Sequence, residues 1–191
     1  MAGTAAIGVL VRAGATAAID RSGFALRGQA RELAFFFTLL GRWPALTVLG
    51  SLAFGVAMLR RDGVDAVVAL LATQVVSQFA NSGLKRLYGR PRPAEHIGRL
   101  EREYAYPSGH SVTAIVFFLG FAIMTVAAPL EPAVRAPLCT ALIVCTLGIP
   151  WSRIALGAHY VSDVAGGILF GAAWLCALLA IALAQPVWFA R

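Results

Sequence analysis

The chain has 191 residues, 59% of them hydrophobic and 13% charged, with a mean hydropathy of +0.77. Soluble domains run nearer to roughly 45–50% apolar and 25% charged, so this composition excludes an intrinsically disordered chain and argues against a water-soluble globule. The formal charge of +7 does not point to nucleic acid, because the basic residues sit in short clusters between long apolar runs, not along one solvated stripe. Anionic lipid headgroups or a phosphorylated substrate are the partners it suits.

Residues 1–32 read as an N-terminal lead-in. The stretch 4–19 is short, rich in Ala and Gly and interrupted by Arg12, and Arg21, Arg27 and Arg31 follow it. No charged segment precedes the apolar part, so a cleaved signal peptide fits poorly. An interfacial helix is the preferred reading, with a sixth membrane span as the alternative.

Residues 33–191 read as a membrane-embedded domain. Four apolar stretches, 64–84, 111–130, 133–151 and 160–185, reach or approach the roughly 20 helical residues needed to cross the hydrocarbon core. A shorter one, 44–59, is extended by 33–40 through an expected kink at Pro44. Breaks are expected at Arg60-Arg61-Asp62-Gly63, across 129–137, and at Gly148-Ile149-Pro150. The best spans lack two-residue alternation and exceed strand length, so they are helices and not barrel strands. The expected fold is all-α, an integral-membrane helical bundle with five or six transmembrane helices. Cys139, Cys145 and Cys176 lie inside apolar runs without metal-ligand spacing and read as core or lipid-facing residues. Gly167 and Gly171 have the spacing for close helix packing within the bundle, and Trp43, Trp151 and Trp188 suit an aromatic belt.

Helices that cross and return place the connection from Lys85 to Gly109 and the one from Ser152 to His159 on the same membrane face. Those two loops hold nearly every reactive side chain. The first opens with a basic cluster from Lys85 through Arg86, Arg90 and Arg92, which by itself suits lipid phosphates. Pro107-Ser108-Gly109-His110 then precedes an apolar run. As plain capping chemistry this is ordinary, yet a helix N-terminus also favours an anion, and His110 would stand beside it. In the second loop His159 and Asp163 are four apart, so a helix would put them on one face, where a carboxylate can fix the imidazole tautomer. Asp163 is also the one acid well inside a predicted span, a costly placement that usually serves function.

The constellation says more than its parts. A lysine (Lys85), six residues, then Arg92-Pro93; Pro107-Ser108-Gly109-His110; Ser152-Arg153, five residues, His159, three residues, Asp163: this resembles the three-part signature of the type 2 phosphatidic acid phosphatase superfamily at every fixed position. The resemblance runs from about residue 40 to 185 and omits the lead-in. It implies that Lys85, Arg92 and Arg153 hold the phosphate oxygens, helped by the amides around Ser108 and Gly109. It implies that His159 is the nucleophile, oriented by Asp163, and that His110 protonates the leaving oxygen and then activates water. No cofactor and no metal site is implied. Elementary electrostatics agrees, since three cations and a helix terminus can offset phosphoryl charge. Arg90 lacks the six-residue spacing and reads as an accessory contact or loop charge; His96 has no assigned role.

The expected function is hydrolysis of a lipid phosphate or isoprenyl diphosphate at one membrane face. A soluble vanadium-dependent haloperoxidase conflicts with the apolar spans. A phosphatase of soluble sugar phosphates would need a sugar pocket that such short loops do not obviously build, and a headgroup-binding or transport protein would have no use for the His159–Asp163 pair. Charge leaves sidedness open: seven basic residues, including Arg99 and Arg102, lie on the active face against Arg60, Arg61, Arg135 and Arg191. The resemblance favours the periplasmic face of a bacterial inner membrane.

Overall fold

The computed structural model describes residues 1–94, 96–97, 101 and 103–184, and among them every regular element is helical. In chain order these are α1 (Ala2–Arg12), α2 (Ala17–Ser22) with a 3-10 turn (Gly23–Leu26), α3 (Arg31–Leu40), α4 (Trp43–Arg60) and α5 (Val64–Tyr88). Then come α6 (Gly109–Thr113), a π-helical segment (Ala114–Leu119), α7 (Gly120–Ala127), α8 (Pro132–Ala155) and α9 (Val161–Ala184). Five spans, α4, α5, α6 to α7, α8 and α9, are long and apolar enough to cross a membrane, and this is an integral-membrane helical bundle. The N-terminal pair, Ala2–Arg12 and Ala17–Leu26, would add a broken sixth span and is bent by 87°.

The span from α6 to α7 is the central post. Phe117 and Phe118 pack with Phe37 of α3, Leu46 of α4 and Ile149 of α8 on one side. On the other side Val112, Ile115 and Val116 meet Leu70 of α5 and Phe170 and Leu175 of α9. The outer helices turn large apolar side chains such as Leu59, Phe79 and Leu183 outward, as lipid-facing surfaces do. Gly167 and Gly171 set a close crossing of α9 with the α6 span. A Cβ on Gly167 would lie 2.4 Å from the Ser108 carbonyl oxygen, and one on Gly171 would lie 3.0 Å from Ile115 Cβ. The π segment had no sequence signal, because Ala114–Leu119 is uniformly apolar.

Three expected boundaries shift. Gly148-Ile149-Pro150 is no turn: α8 runs through it to Ala155. Gly148 is small because the Phe37 ring packs on it, so closely that a Cβ there would stand 2.4 Å from the ring. Pro150 is absorbed where Ser and Thr hydroxyls bond nearby carbonyls. The break across 129–137 contracts, since Pro132 occupies the first turn of α8, where a missing N–H costs nothing, and Pro137 lies inside the helix. Pro44 likewise starts α4 and does not kink a longer helix; α3 is a separate element packed along α8.

Candidate active site

The site lies where the α5–α6 and α8–α9 connections meet, as alternating crossings require. Lys85 ends α5, and Gly89, with φ +59°, turns the chain into the loop bearing Arg90 and Arg92, whose prolines keep it extended. Arg153 is in the last turn of α8, and Gly157, with φ +64°, reverses the chain so that His159 enters just ahead of α9. His159 therefore precedes the helix instead of sharing a helical face with Asp163. Asp163 sits in the first turn of α9, where its Oδ2 accepts from the Tyr160 amide at 2.9 Å, one half of a capping box.

His159 is 3% exposed. A guanidinium only donates, so the 3.1 Å contact from Arg92 Nη1 makes His159 Nε2 the acceptor and leaves the hydrogen on Nδ1. Nδ1 faces Asp163 Oδ2 at 3.5 Å, too long for a formed hydrogen bond, and has no bonded partner among the described residues. Burial, reinforced by Arg92, Arg153 and Lys85, pushes the imidazole pKa well below its ordinary value, so the ring is neutral with a bare Nε2. That is the form a nucleophile needs.

The three expected phosphate ligands gather around it, each already facing a carboxylate. Arg153 Nη2 meets Glu101 Oε1 at 2.5 Å and Arg92 Nη2 meets Glu101 Oε2 at 2.8 Å, while Lys85 Nζ is 3.1 Å from Glu103 Oε2. Burial, the largest influence on Glu101, raises its pKa, but Arg153 and then Arg92 outweigh it and hold the carboxyl well below the usual range. Arg153 also donates to the Thr38 hydroxyl, and His110 Nε2 lies 3.2 Å from the Thr38 carbonyl. Because a carbonyl only accepts, His110 carries hydrogen on Nε2, and Nδ1 is the nitrogen left for proton exchange.

Lys85, Gly109, His110 and His159 line one cavity of about 1260 Å³, together with Gln78 and Asn81 of α5. Trp43 and Leu46 continue its wall into an apolar trough of about 320 Å³ between α4 and α5. Ser108 stands apart from this cavity. Its amide donates to the Asp163 carbonyl at 3.0 Å and its hydroxyl caps α6 through the Ser111 amide, so it joins the two loops and only Gly109 reaches the cavity wall. Among the described residues, no cluster of three or more His, Cys, Asp or Glu side chains is placed to hold a metal ion.

Three residues here, Thr38, Glu101 and Asp20, escaped sequence reasoning, and for a fourth, Arg90, the structure decides between the accessory contact and the loop charge. Thr38 ties His110 to Arg153, and Glu101 bridges two guanidiniums. Arg90 bonds Asp163 Oδ1 at 2.5 Å and Asp20 Oδ2 at 2.7 Å, so it is a half-buried partner of the site and no loose loop charge. Arg90 carried one signal, its place beside Arg92; Thr38, Glu101 and Asp20 carried none. Trp43 lines the cavity and Trp151 packs edge-on to Phe37, whereas Trp188, Arg99, Arg102 and Arg191 lie outside the described residues.

Known proteins share both the sequence pattern and the fold. The chain is 37% identical over 127 residues to a lipid A 1-phosphatase of Rhizobium johnstonii, an alignment covering 61% of this chain and 47% of that protein. It is 36% identical over 128 residues to a lipid A 1-phosphatase of Rhizobium etli, covering 61% and 50%. The chain thus spans about half the length of the curated relatives it matches. Its fold superposes with a TM-score of 0.75, at 24% identity and over 93% of this chain and 89% of the other, on the crystal structure of a transmembrane PAP2 type phosphatidylglycerolphosphate phosphatase from Bacillus subtilis. The family model of the PAP2 superfamily matches residues 64–186, a stretch that holds Lys85, His110 and His159 of the cavity wall and Asp163 behind them, and this integral-membrane chain belongs to that superfamily.

Proposed function

We propose that the protein hydrolyses a membrane lipid phosphate or isoprenyl diphosphate through a phosphohistidine on His159, on the periplasmic face of a bacterial inner membrane. The observation that carries this reading is the neutral His159 Nε2, held by Arg92 at 3.1 Å in a cavity shared with Lys85 and His110 and continued by an apolar trough. Phosphate entering the site displaces Glu101 and takes over the donors of Arg92 and Arg153, with Lys85 from the third side. His159 Nε2 then forms a bond to phosphorus as the bond to the leaving oxygen breaks, and His110 supplies that oxygen with a proton. Nδ1 keeps its hydrogen and donates it in a hydrogen bond to the Asp163 carboxylate as the ring gains charge. In the second step His110 takes a proton from water, the water oxygen bonds phosphorus, and the nitrogen–phosphorus bond breaks. Three side-chain cations offset the charge on the transferring group, so no step calls on a metal ion.

The trough accommodates an acyl or prenyl chain, and the amides of Gln78 and Asn81 on the cavity wall suit a hydroxylated headgroup. With the curated relatives, this favours a glycolipid phosphate of the lipid A kind. The test is phosphate release by the purified protein in detergent from lipid A, phosphatidylglycerol phosphate, phosphatidate, undecaprenyl diphosphate and glucose 6-phosphate, with and without EDTA. Release from at least one lipid, undiminished by chelator and lowered about a thousandfold or more by His159→Ala, is expected. Release confined to the soluble sugar phosphate, or a requirement for added Mg²⁺, would sink the proposal.

A further inference from the structure

We propose that Asp20 and Arg90 are positioning residues for the His159–Asp163 pair, so that the N-terminal segment completes the catalytic centre. This rests on the reading of His159 as the nucleophile. Arg90 Nη1 donates to Asp163 Oδ1 at 2.5 Å and to Ser162 Oγ at 2.7 Å, and Nη2 donates to Asp20 Oδ2 at 2.7 Å. The Arg90 guanidinium also lies 4.2 Å above the Tyr160 ring, which fixes its plane. Asp20 Oδ1 accepts from the Ser162 amide at 3.0 Å and from the Ser162 hydroxyl at 2.7 Å. Asp20 is 4% exposed, Ser162 4% and Asp163 0%, so the acceptors of these bonds are shielded from water.

The arrangement does two things for Asp163. Its Oδ1 is held by Arg90 and its Oδ2 by the Tyr160 amide, which leaves the carboxylate plane one orientation, with Oδ2 toward His159 Nδ1. It also settles the charge. Arg90 paired with Asp163 alone would cancel the carboxylate that the imidazole needs as it becomes cationic. Asp20, on the far side of the guanidinium, supplies the second negative charge, and the trio keeps one net negative charge facing His159. The N-terminal segment is held for this task at further points. Tyr106 Oη donates to the Thr4 carbonyl at 2.5 Å, and Gly8 lies against the Tyr88 ring so closely that a Cβ there would stand 2.3 Å from it.

The experiment compares wild type with Asp20→Asn in full-length protein, reading the His159 tautomer by nitrogen-15 NMR of labelled histidine at pH 7, and kcat and KM by phosphate release. Wild type is expected to carry hydrogen on Nδ1. Asp20→Asn should show mixed tautomers and a fall in kcat of about ten- to hundredfold with KM within twofold, and Asp20→Glu should recover most of the loss. If Asp20→Asn fails to fold, Ser162→Ala, which removes one anchor of the carboxylate and keeps every charge, should shift the tautomer in the same sense and lower kcat less. An unchanged tautomer, or loss of kcat and KM in step, would overturn the assignment. Should wild type release phosphate from no lipid, the lipid-phosphatase reading fails, and the tautomer comparison still decides the role of Asp20.

Discussion

Glu101 shows how a single side chain can hold a charged site ready. Its two carboxylate oxygens take the same donors of Arg153 and Arg92 that phosphate oxygens would take, at 2.5 and 2.8 Å. Without such a partner, two guanidiniums and Lys85 would face one another across a buried cavity, where like charges are costly. On the proposed function, substrate and product phosphate would compete with this internal anion. Glu101→Gln keeps the shape and removes the charge, and it is expected to tighten inhibition by inorganic phosphate about tenfold, the worth of a charge-assisted hydrogen bond. Inhibition constants for the two proteins check this, and an unchanged or weaker constant contradicts it. The direction with pH follows from the depressed carboxyl pKa: the bridge is complete above the ordinary value of about 4.3 and is lost only as pH falls through the lowered one. Between pH 5 and 8 the difference between the two proteins is accordingly expected to stay constant.

Among the elements, the crossing of α6 and α9 decides whether the two loops meet in register. Gly167 lets the helices approach until the Ser108 carbonyl would be 2.4 Å from any added Cβ, and the Ser108 amide bonds the Asp163 carbonyl at that crossing. Gly167→Ala must push α6 outward, moving His110 relative to His159. It is expected to cost about 1–3 kcal/mol of stability and to lower activity tenfold or more. Gly55 in α4 has open space where a Cβ would stand, so Gly55→Ala is expected to leave activity unchanged and to stabilise the helix slightly. Thermal unfolding in detergent with parallel assays separates the two; equal effects would refute the packing argument. Close packing also explains why Gly148-Ile149-Pro150 reads as a turn and folds as helix. Gly and Pro break helices in water, but Gly148 is here the seat of Phe37, and neighbouring helices shelter the backbone around Pro150.

For the whole molecule, alternating crossings put the α5–α6 and α8–α9 connections on one face and the Arg60–Gly63 turn on the other. Tyr104 on the active face and Arg61 on the opposite one are both exposed. In a background without native cysteines, Tyr104→Cys is expected to react with a membrane-impermeant thiol reagent added to intact spheroplasts. Arg61→Cys is expected to react only after lysis. The reverse pattern would put the active site in the cytoplasm.

The membrane class, the helical spans and the members of the candidate catalytic set were all legible in the order of residues. Span length is dictated by bilayer thickness, and His110, His159, Asp163 and the three cations stand at the spacings of the superfamily signature that the chain resembles. That the two loops share a face was legible too, because helices that cross must return. The partners of those residues were not, and they emerge only from the folded bundle. Asp20 and Ser162 are 142 positions apart, and Thr38 and Arg153 are 115 apart, so no periodicity or local motif links them. A buried guanidinium or carboxylate takes whichever counter-charge the packing brings within about 3 Å, and that choice is made by helix crossings and loop paths, not by neighbours in the chain. For that reason Arg90 reads in the sequence as either an accessory contact or a loop charge, and in the fold it stands between two buried carboxylates.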